Sequence, residues 1–341
     1  MSVRYFTYDQ DFALESGAVL PGFQLAYHTG GTLHPSGDNV VWACHALTGN
    51  SVPQDWWPGL FEAGGVFDPA EYFWVCANML GSCYGSTHAL SPHPSTGQPW
   101  YHDFPLLTNR DMVRAFDLLR EHLGIERVRV LTGGSLGGQQ ALEWAVMRPE
   151  VFDCLIPVAT NARHSAWGIA FNEAQRMAIA ADATWQTATP TAGMNGMRAA
   201  RATALLSYRS YQAYVDTQTE TQPDKLDDYR AASYQRYQGE KLYRRFNAFS
   251  YWTLSRAMDS HDLGRGRGGV EAALAQIRAR TLVVGVDSDL LFPPAEQQLL
   301  ARHIPDARYA EIASPYGHDG FLVETRHLQT LIRAFLEPVA A

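Results

Sequence analysis

The chain is poor in cysteine, with four in 341 residues, at positions 44, 76, 83 and 154, and none of them forms a C-x-x-C pair. That gives no sign of a disulfide framework. Met1 to Gln10 contains no apolar h-region, so no secretory leader is read there. Together these predict reduced thiols and a cytoplasmic location. No apolar run approaches the roughly 20 residues of a membrane-spanning helix, so no membrane association is expected. The histidines show neither H-x-x-x-H nor H-E-x-x-H spacing, so no metal is expected. Positive charge is in deficit, 27 Lys and Arg against 35 Asp and Glu, net −8. A nucleic-acid surface is not expected on that balance, while a local basic pocket for a cofactor phosphate stays open. There are no internal repeats. A hydrophobic fraction of 46% gives a sizeable core, enough for one large α/β domain or a core with an insertion.

What is present centres on Ser135. Residues Arg127 to Ala145 read as strand, sharp turn and helix, and Gly133, Ser135 and Gly137 fill G-x-S-x-G. At such a turn the serine is strained, and side chains two positions away on either side would collide, so small residues are required. Gly134 and Gly138 are small too. The turn puts Ser135 at a helix N-terminus, where the dipole and the N–H of Leu136 can stabilise an oxyanion. The competing reading is a Gly-rich phosphate loop. A Walker motif needs Lys after its last Gly, and Gln139 stands there instead.

Along the chain, Phe12 to Thr29 reads as two strands joined through Pro21-Gly22. Further strands are expected at Asn39–Cys44, Tyr72–Ala77, Cys154–Ala159, Thr281–Val286 and Tyr309–Ile312. A helix capped by Asn109 or Asp111 carries Met112, Val113, Phe116, Leu119 and Leu123 on one face and ends at Gly124. The last helix carries His327, Leu328, Leu331, Ile332, Phe335 and Leu336. Alternating strands and helices imply a mainly parallel sheet with helices on both faces. From about Asn161 to Gly269 the alternation stops, and helical patterns rich in Ala, Gln, Arg and Tyr take over, with a polar linker at Thr217–Asp228. The expected organisation is a core at 1–160 and 276–341, interrupted by a helical insertion at 161–275 that is lid-sized.

A serine hydroxyl needs a base, usually a His held by a carboxylate, arriving on loops after late strands. Asp287 and Asp289 follow the Thr281 strand, and either could be the acid. His318 follows the last strand in Gly-His-Asp-Gly and is the base. His45, also at a strand end, reads as a shaper of its turn. The second oxyanion donor belongs on the loop after the third strand, His45-Ala46-Leu47-Thr48-Gly49, where the N–H of Leu47 is chosen.

In order along the chain, CHALTGNS, ANMLGSCYGST, DFPLLTNRDMV, GGSLGGQQALEWA, SYQRYQGEKL, FNAFSYWTLSRAMD, SDLLFP and YGHDGFLVE resemble the homoserine O-acetyltransferase family of α/β-hydrolase-fold acyltransferases. These motifs cover nearly the whole chain, insertion included. The resemblance implies a triad of Ser135, Asp289 and His318, and a helical lid that forms a homodimer contact. It implies that Asp319 meets a substrate ammonium and that Arg201, in the segment Gly196 to Arg209, binds the carboxylate, with Arg198 and Arg209 as rivals. It also implies acetyl-CoA as co-substrate with no permanently bound cofactor, L-homoserine as acceptor, and a step toward methionine. Departures from the commonest family form stand at Leu205, where His is frequent, and at His88-Ala89. Succinyl transfer, serine as acceptor and plain ester or thioester hydrolysis use the same triad.

Overall fold

The computed structural model of the chain describes residues 2–337. Eight strands form one sheet in the order β1-β2-β4-β3-β5-β6-β7-β8: β1 Arg4–Ala13, β2 Val19–Gly30, β3 Val40–Cys44, β4 Phe73–Ala77, β5 Val128–Gly134, β6 Phe152–Val158, β7 Arg280–Val286 and β8 Ala307–Ile312. From β4 through β8 all neighbours are parallel, and β2 joins β4 and β1 antiparallel. The helices are α1 Asn109–His122, α2 Leu136–Met147, α3 Ala166–Ala180, α4 Met194–Tyr208, α5 Tyr211–Gln218, α6 Arg230–Tyr243, α7 Ala248–Asp259, α8 Val270–Leu274, α9 Pro294–His303, α10 Gly320–Val323 and α11 Thr325–Leu336.

Two expectations are corrected. Pro21-Gly22 is not the first hairpin turn but lies inside β2, opposite a bulge between Tyr8 and Asp11. The bulge leaves room for a proline, which has no N–H to give to the ladder. The turn is Leu14–Ala18, closed by Leu14 N–H to the Ala18 carbonyl at 2.8 Å, with Gly17 at φ +86°. The cap of α1 is Thr108 rather than Asn109 or Asp111. Its hydroxyl accepts from Asp111 N–H while the Asp111 carboxylate accepts from Thr108 N–H, a reciprocal capping box.

Alternate residues of a strand face opposite sides, and the sheet is buried on both. Val40, Trp42 and Cys44 join one buried cluster with Phe116 of α1, Trp144 of α2 and Leu300 of α9. Val41 and Ala43 join the other, with Leu328, Ile332 and Phe335 of α11 and the aromatics Trp57, Phe61 and Phe67. That second face is thus covered partly by an irregular aromatic segment. All of α3–α8 lie between β6 and β7. Ile179, Met197, Leu242 and Tyr251 from these helices, and Phe246 between α6 and α7, belong to the same buried cluster as Trp42 and Trp144. The helical segment therefore extends the core over one end of the sheet. Exposed turns join α5 to α6 where the polar linker was read.

Candidate active site

The site is built at the carboxyl ends of the central strands. β5 ends at Gly134, and Ser135 opens α2 with φ +56° and ψ −124°. A non-glycine residue in that region stores about 1–3 kcal/mol of strain, here held by fixed neighbours. Ser135 N–H donates to the Val158 carbonyl at 2.9 Å, and its own carbonyl accepts from Gln139 N–H and the Thr160 hydroxyl. The small residues are required by close approach. A Cβ on Gly133 would sit 2.4 Å from the Gly137 carbonyl oxygen, and one on Gly137 would sit 2.1 Å from that of Cys44.

Ser135, Asp289 and His318 meet although 183 and 29 residues separate the pairs. His318 Nε2 lies 2.9 Å from Ser135 Oγ, and His318 Nδ1 lies 2.6 Å from Asp289 Oδ2. All three are buried. The other oxygen of Asp289 accepts from Leu291 N–H at 2.8 Å and Phe292 N–H at 2.9 Å. Asp287, two residues earlier in the same turn, is exposed and accepts from Ser314 N–H, bracing one loop on another. Only Asp289 reaches the imidazole. Since a carboxylate can only accept, His318 carries its proton on Nδ1, leaving Nε2 free to take one from Ser135. Phe292 stacks on the imidazole at 4.9 Å, with Phe321 at 5.2 Å and Tyr208 at 5.8 Å.

The two segments that carry the oxyanion donors named from the sequence are adjacent. The Cys44 and His45 carbonyls abut Gly137 at the start of α2, so the β3 loop lies against the elbow. Among the described residues, neither Leu136 nor Leu47 N–H gives a hydrogen bond to another backbone group. The Ala46 carbonyl is held twice, by Gly49 N–H at 2.9 Å and by His45 Nδ1 at 2.9 Å. Its peptide is trans and planar, so the Leu47 N–H is fixed in the opposite direction. His45 thus shapes the turn, and its Nε2 accepts from Met79 N–H at 3.4 Å. Burial pushes its pKa down to about 4, which keeps the ring neutral.

The three candidate arginines for the carboxylate, Arg198, Arg201 and Arg209, are separated by their partners. Arg198 pairs with Glu240 at 2.8 Å and lies over the Tyr243 ring. Arg209 pairs with Asp319 at 2.7 Å. Among the described residues Arg201 has no ion pair, and its guanidinium lies 5.3 Å from the centre of the Tyr208 ring, itself beside His318. Asp319 therefore shares one oxygen with Arg209, which the sequence did not suggest. Sequence reasoning also missed Tyr208 and Phe292 on the imidazole. Phe292 stands in the SDLLFP motif, whereas nothing in the spacing of α4 marks Tyr208. Glu296, on the first turn of α9, was missed too. It accepts from Asn161 at 2.9 Å, and burial, with the nearby Asp289 charge, pushes its pKa up to about 7.

A family model described as the alpha/beta hydrolase fold matches residues 39–325. The homoserine O-acetyltransferase of Cyclobacterium marinum is 50% identical over 335 residues, 98% of this chain and 95% of the relative. A crystal structure of homoserine O-acetyltransferase from Bacillus anthracis superposes with a TM-score of 0.91, at 23% identity, over 100% of this chain and 99% of the other. Esterase E22 superposes at 0.87 with 22% identity, over 98% of this chain and 100% of the other. At those identities the two structures speak for the fold alone, which transferases and esterases share. The near-full-length sequence relationship decides between them at the level of family: the chain belongs to the homoserine O-acetyltransferase family of α/β-hydrolase-fold proteins.

Proposed function

We propose that this protein transfers an acetyl group from acetyl-CoA to the hydroxyl of L-homoserine through an acyl-Ser135 intermediate. The observation that carries the acceptor is the 50% identity to a homoserine O-acetyltransferase along 98% of the chain. The hydrogen-bonded Ser135, His318 and Asp289 support the chemistry. His318 Nε2 takes the Ser135 proton as Oγ attacks the thioester carbonyl. The oxyanion is met by the N–H groups of Leu136 and Leu47, and the new imidazolium is stabilised by Asp289. Collapse breaks the C–S bond, and CoA leaves with the proton from His318. In the second half-reaction His318 deprotonates the homoserine hydroxyl, which attacks the acetyl-serine; collapse breaks the acyl–Oγ bond, Ser135 takes its proton back from His318, and O-acetylhomoserine is released. This is a step toward methionine.

A zwitterionic acceptor calls for a cation and an anion at fixed separation. Arg201 is assigned the carboxylate, because Arg198 and Arg209 already hold acids. Asp319 is assigned the ammonium, with Arg209 holding the carboxylate in place. Water must lose to the acceptor hydroxyl. The buried triad and the segment 161–275, acting as a lid, serve that end by exclusion and positioning. We assign the same helices the homodimer contact: Leu206, Tyr211, Val215 and Tyr237 of α4, α5 and α6 are each large, apolar and exposed. The cytoplasmic assignment goes with four free cysteines and, among the described residues, no helix long and apolar enough to cross a membrane.

The test is a matrix of acetyl-CoA and succinyl-CoA against homoserine and serine, read by mass spectrometry. O-acetylhomoserine as the dominant product is expected. Succinyl transfer or a serine product would replace one substrate, and acid release unaffected by acceptor would make the protein a hydrolase.

A further inference from the structure

The turn Ala46–Gly49 is held mostly by the core. His45 is fixed by Met79, and the Ser51 hydroxyl lies 2.8 Å from both His28 Nδ1 and Asn78 Nδ2. One restraint comes from elsewhere. Arg245, between α6 and α7, donates from Nη1 to the Thr48 carbonyl at 2.7 Å and to the Tyr84 hydroxyl at 2.7 Å. Its Nη2 lies 3.4 Å from the Thr48 hydroxyl. Tyr84, on the loop after β4, packs its ring against Phe246, the next residue of the insertion. Among the described residues Arg245 has no acidic partner, so this cation is directed wholly at neutral acceptors, one of them the backbone beside Leu47. Two of the three carbonyls of the Ala46-Leu47-Thr48 run are held, Ala46 by Gly49 and His45 and Thr48 from the insertion, so Leu47 is braced on both sides.

We propose that Arg245 is a positioning residue that ties the oxyanion turn to the helical insertion and steadies, from the Thr48 side, the Leu47 N–H that His45 and Gly49 orient from the Ala46 side. The proposal rests on the acyl-Ser135 reading above. It makes the insertion more than a cover: the segment that shapes the acceptor site also sets electrophilic activation of the acyl group.

The test uses single-turnover acylation of the full chain by acetyl-CoA and, separately, by p-nitrophenyl acetate, which carries no phosphates. Inhibition by a small trifluoromethyl ketone, which forms a tetrahedral adduct at the serine, is measured alongside. Arg245→Ala is expected to lower the maximal acylation rate about tenfold to a hundredfold, the range for a misaimed rather than a deleted oxyanion donor. The loss should appear with both donors at unchanged half-saturation, and the ketone should weaken by a similar factor. Arg245→Lys, which keeps one donor for Thr48, is expected to recover part of the rate. Tyr84→Phe, which removes one partner of Arg245, is expected to lose less than Arg245→Ala, and these two carry the test if Arg245→Ala does not fold. Wild-type acylation and ketone affinity in Arg245→Ala would overturn the proposal. So would a loss confined to acetyl-CoA through half-saturation, which would make Arg245 a phosphate contact. Failure of the acyl-enzyme reading is distinct: the wild-type protein would then form no covalent acetate at Ser135.

Discussion

Replacing Asp289 with Asn tests the proposed triad most sharply, because the surroundings dictate how the amide must sit. Oδ1 of Asp289 accepts from the N–H groups of Leu291 and Phe292, at 2.8 and 2.9 Å. An amide NH2 cannot accept them, so the Asn oxygen takes that position and the NH2 faces His318. The imidazole nitrogen 2.6 Å away must then accept, which moves the ring proton to Nε2, beside Ser135. A protonated Nε2 cannot take the serine proton. A wrong-tautomer histidine in a serine triad lowers turnover by about 10⁴-fold, or roughly 5.4 kcal/mol in the barrier. The two backbone N–H groups keep their acceptor, so thermal unfolding should stay near wild type. CoA release followed with a thiol reagent gives the rate, and Asp287→Asn is the control, expected to keep most of the activity because that side chain is exposed. If Asp289→Asn kept more than a tenth of wild-type turnover, or if Asp287→Asn were the more damaging, the acid assignment and the tautomer argument would both fail.

Arg201→Ala should form acetyl-Ser135 and release CoA in a normal burst, then transfer to homoserine with a loss of about 2–5 kcal/mol if a buried carboxylate is left unpaired; pre-acetylated enzyme with varied homoserine measures this, and unchanged transfer would refute the role. Asp319→Asn is the companion variant, preferable to Ala because Arg209 keeps an acceptor, and the same assay applies. Glu296→Gln should alter the pH dependence of stability. The raised pKa means that burying Glu296 carries no penalty below its ordinary value near 4.5, and that stability is lost as pH rises toward about 7. The variant should therefore gain relative to wild type by about 1–2 kcal/mol above pH 7, after allowance for partial exposure, and not at pH 4; urea unfolding at both pH values decides it. Gly137→Ala should destabilise by about 1–3 kcal/mol, because its Cβ would meet the Cys44 carbonyl at 2.1 Å, and backbone has to move. An unchanged urea midpoint would show that the elbow is looser than described.

The sequence by itself determined what is encoded in short contiguous windows. The elbow is one such window: its glycines are required by contacts within a few residues and with one neighbouring strand. The alternation of strands and helices and its interruption between β6 and β7 were readable for the same reason. Tertiary structure decided whatever depends on where a side chain points or what it meets from far away. Asp287 and Asp289 are equivalent as letters, yet a tight turn sends one to solvent and the other onto the imidazole. Arg198, Arg201 and Arg209 lie on or just beyond one helix, and their partners, Glu240 from α6 and Asp319 from the His318 loop, set two of them apart from Arg201, which has no ion pair among the described residues. The first hairpin turn moved away from Pro21-Gly22 because a bulge in the facing strand can absorb a proline, and local propensity cannot see the facing strand. Arg245 reaches Thr48 across 197 residues; no spacing rule links them, since the contact exists only once the insertion has folded back over the sheet.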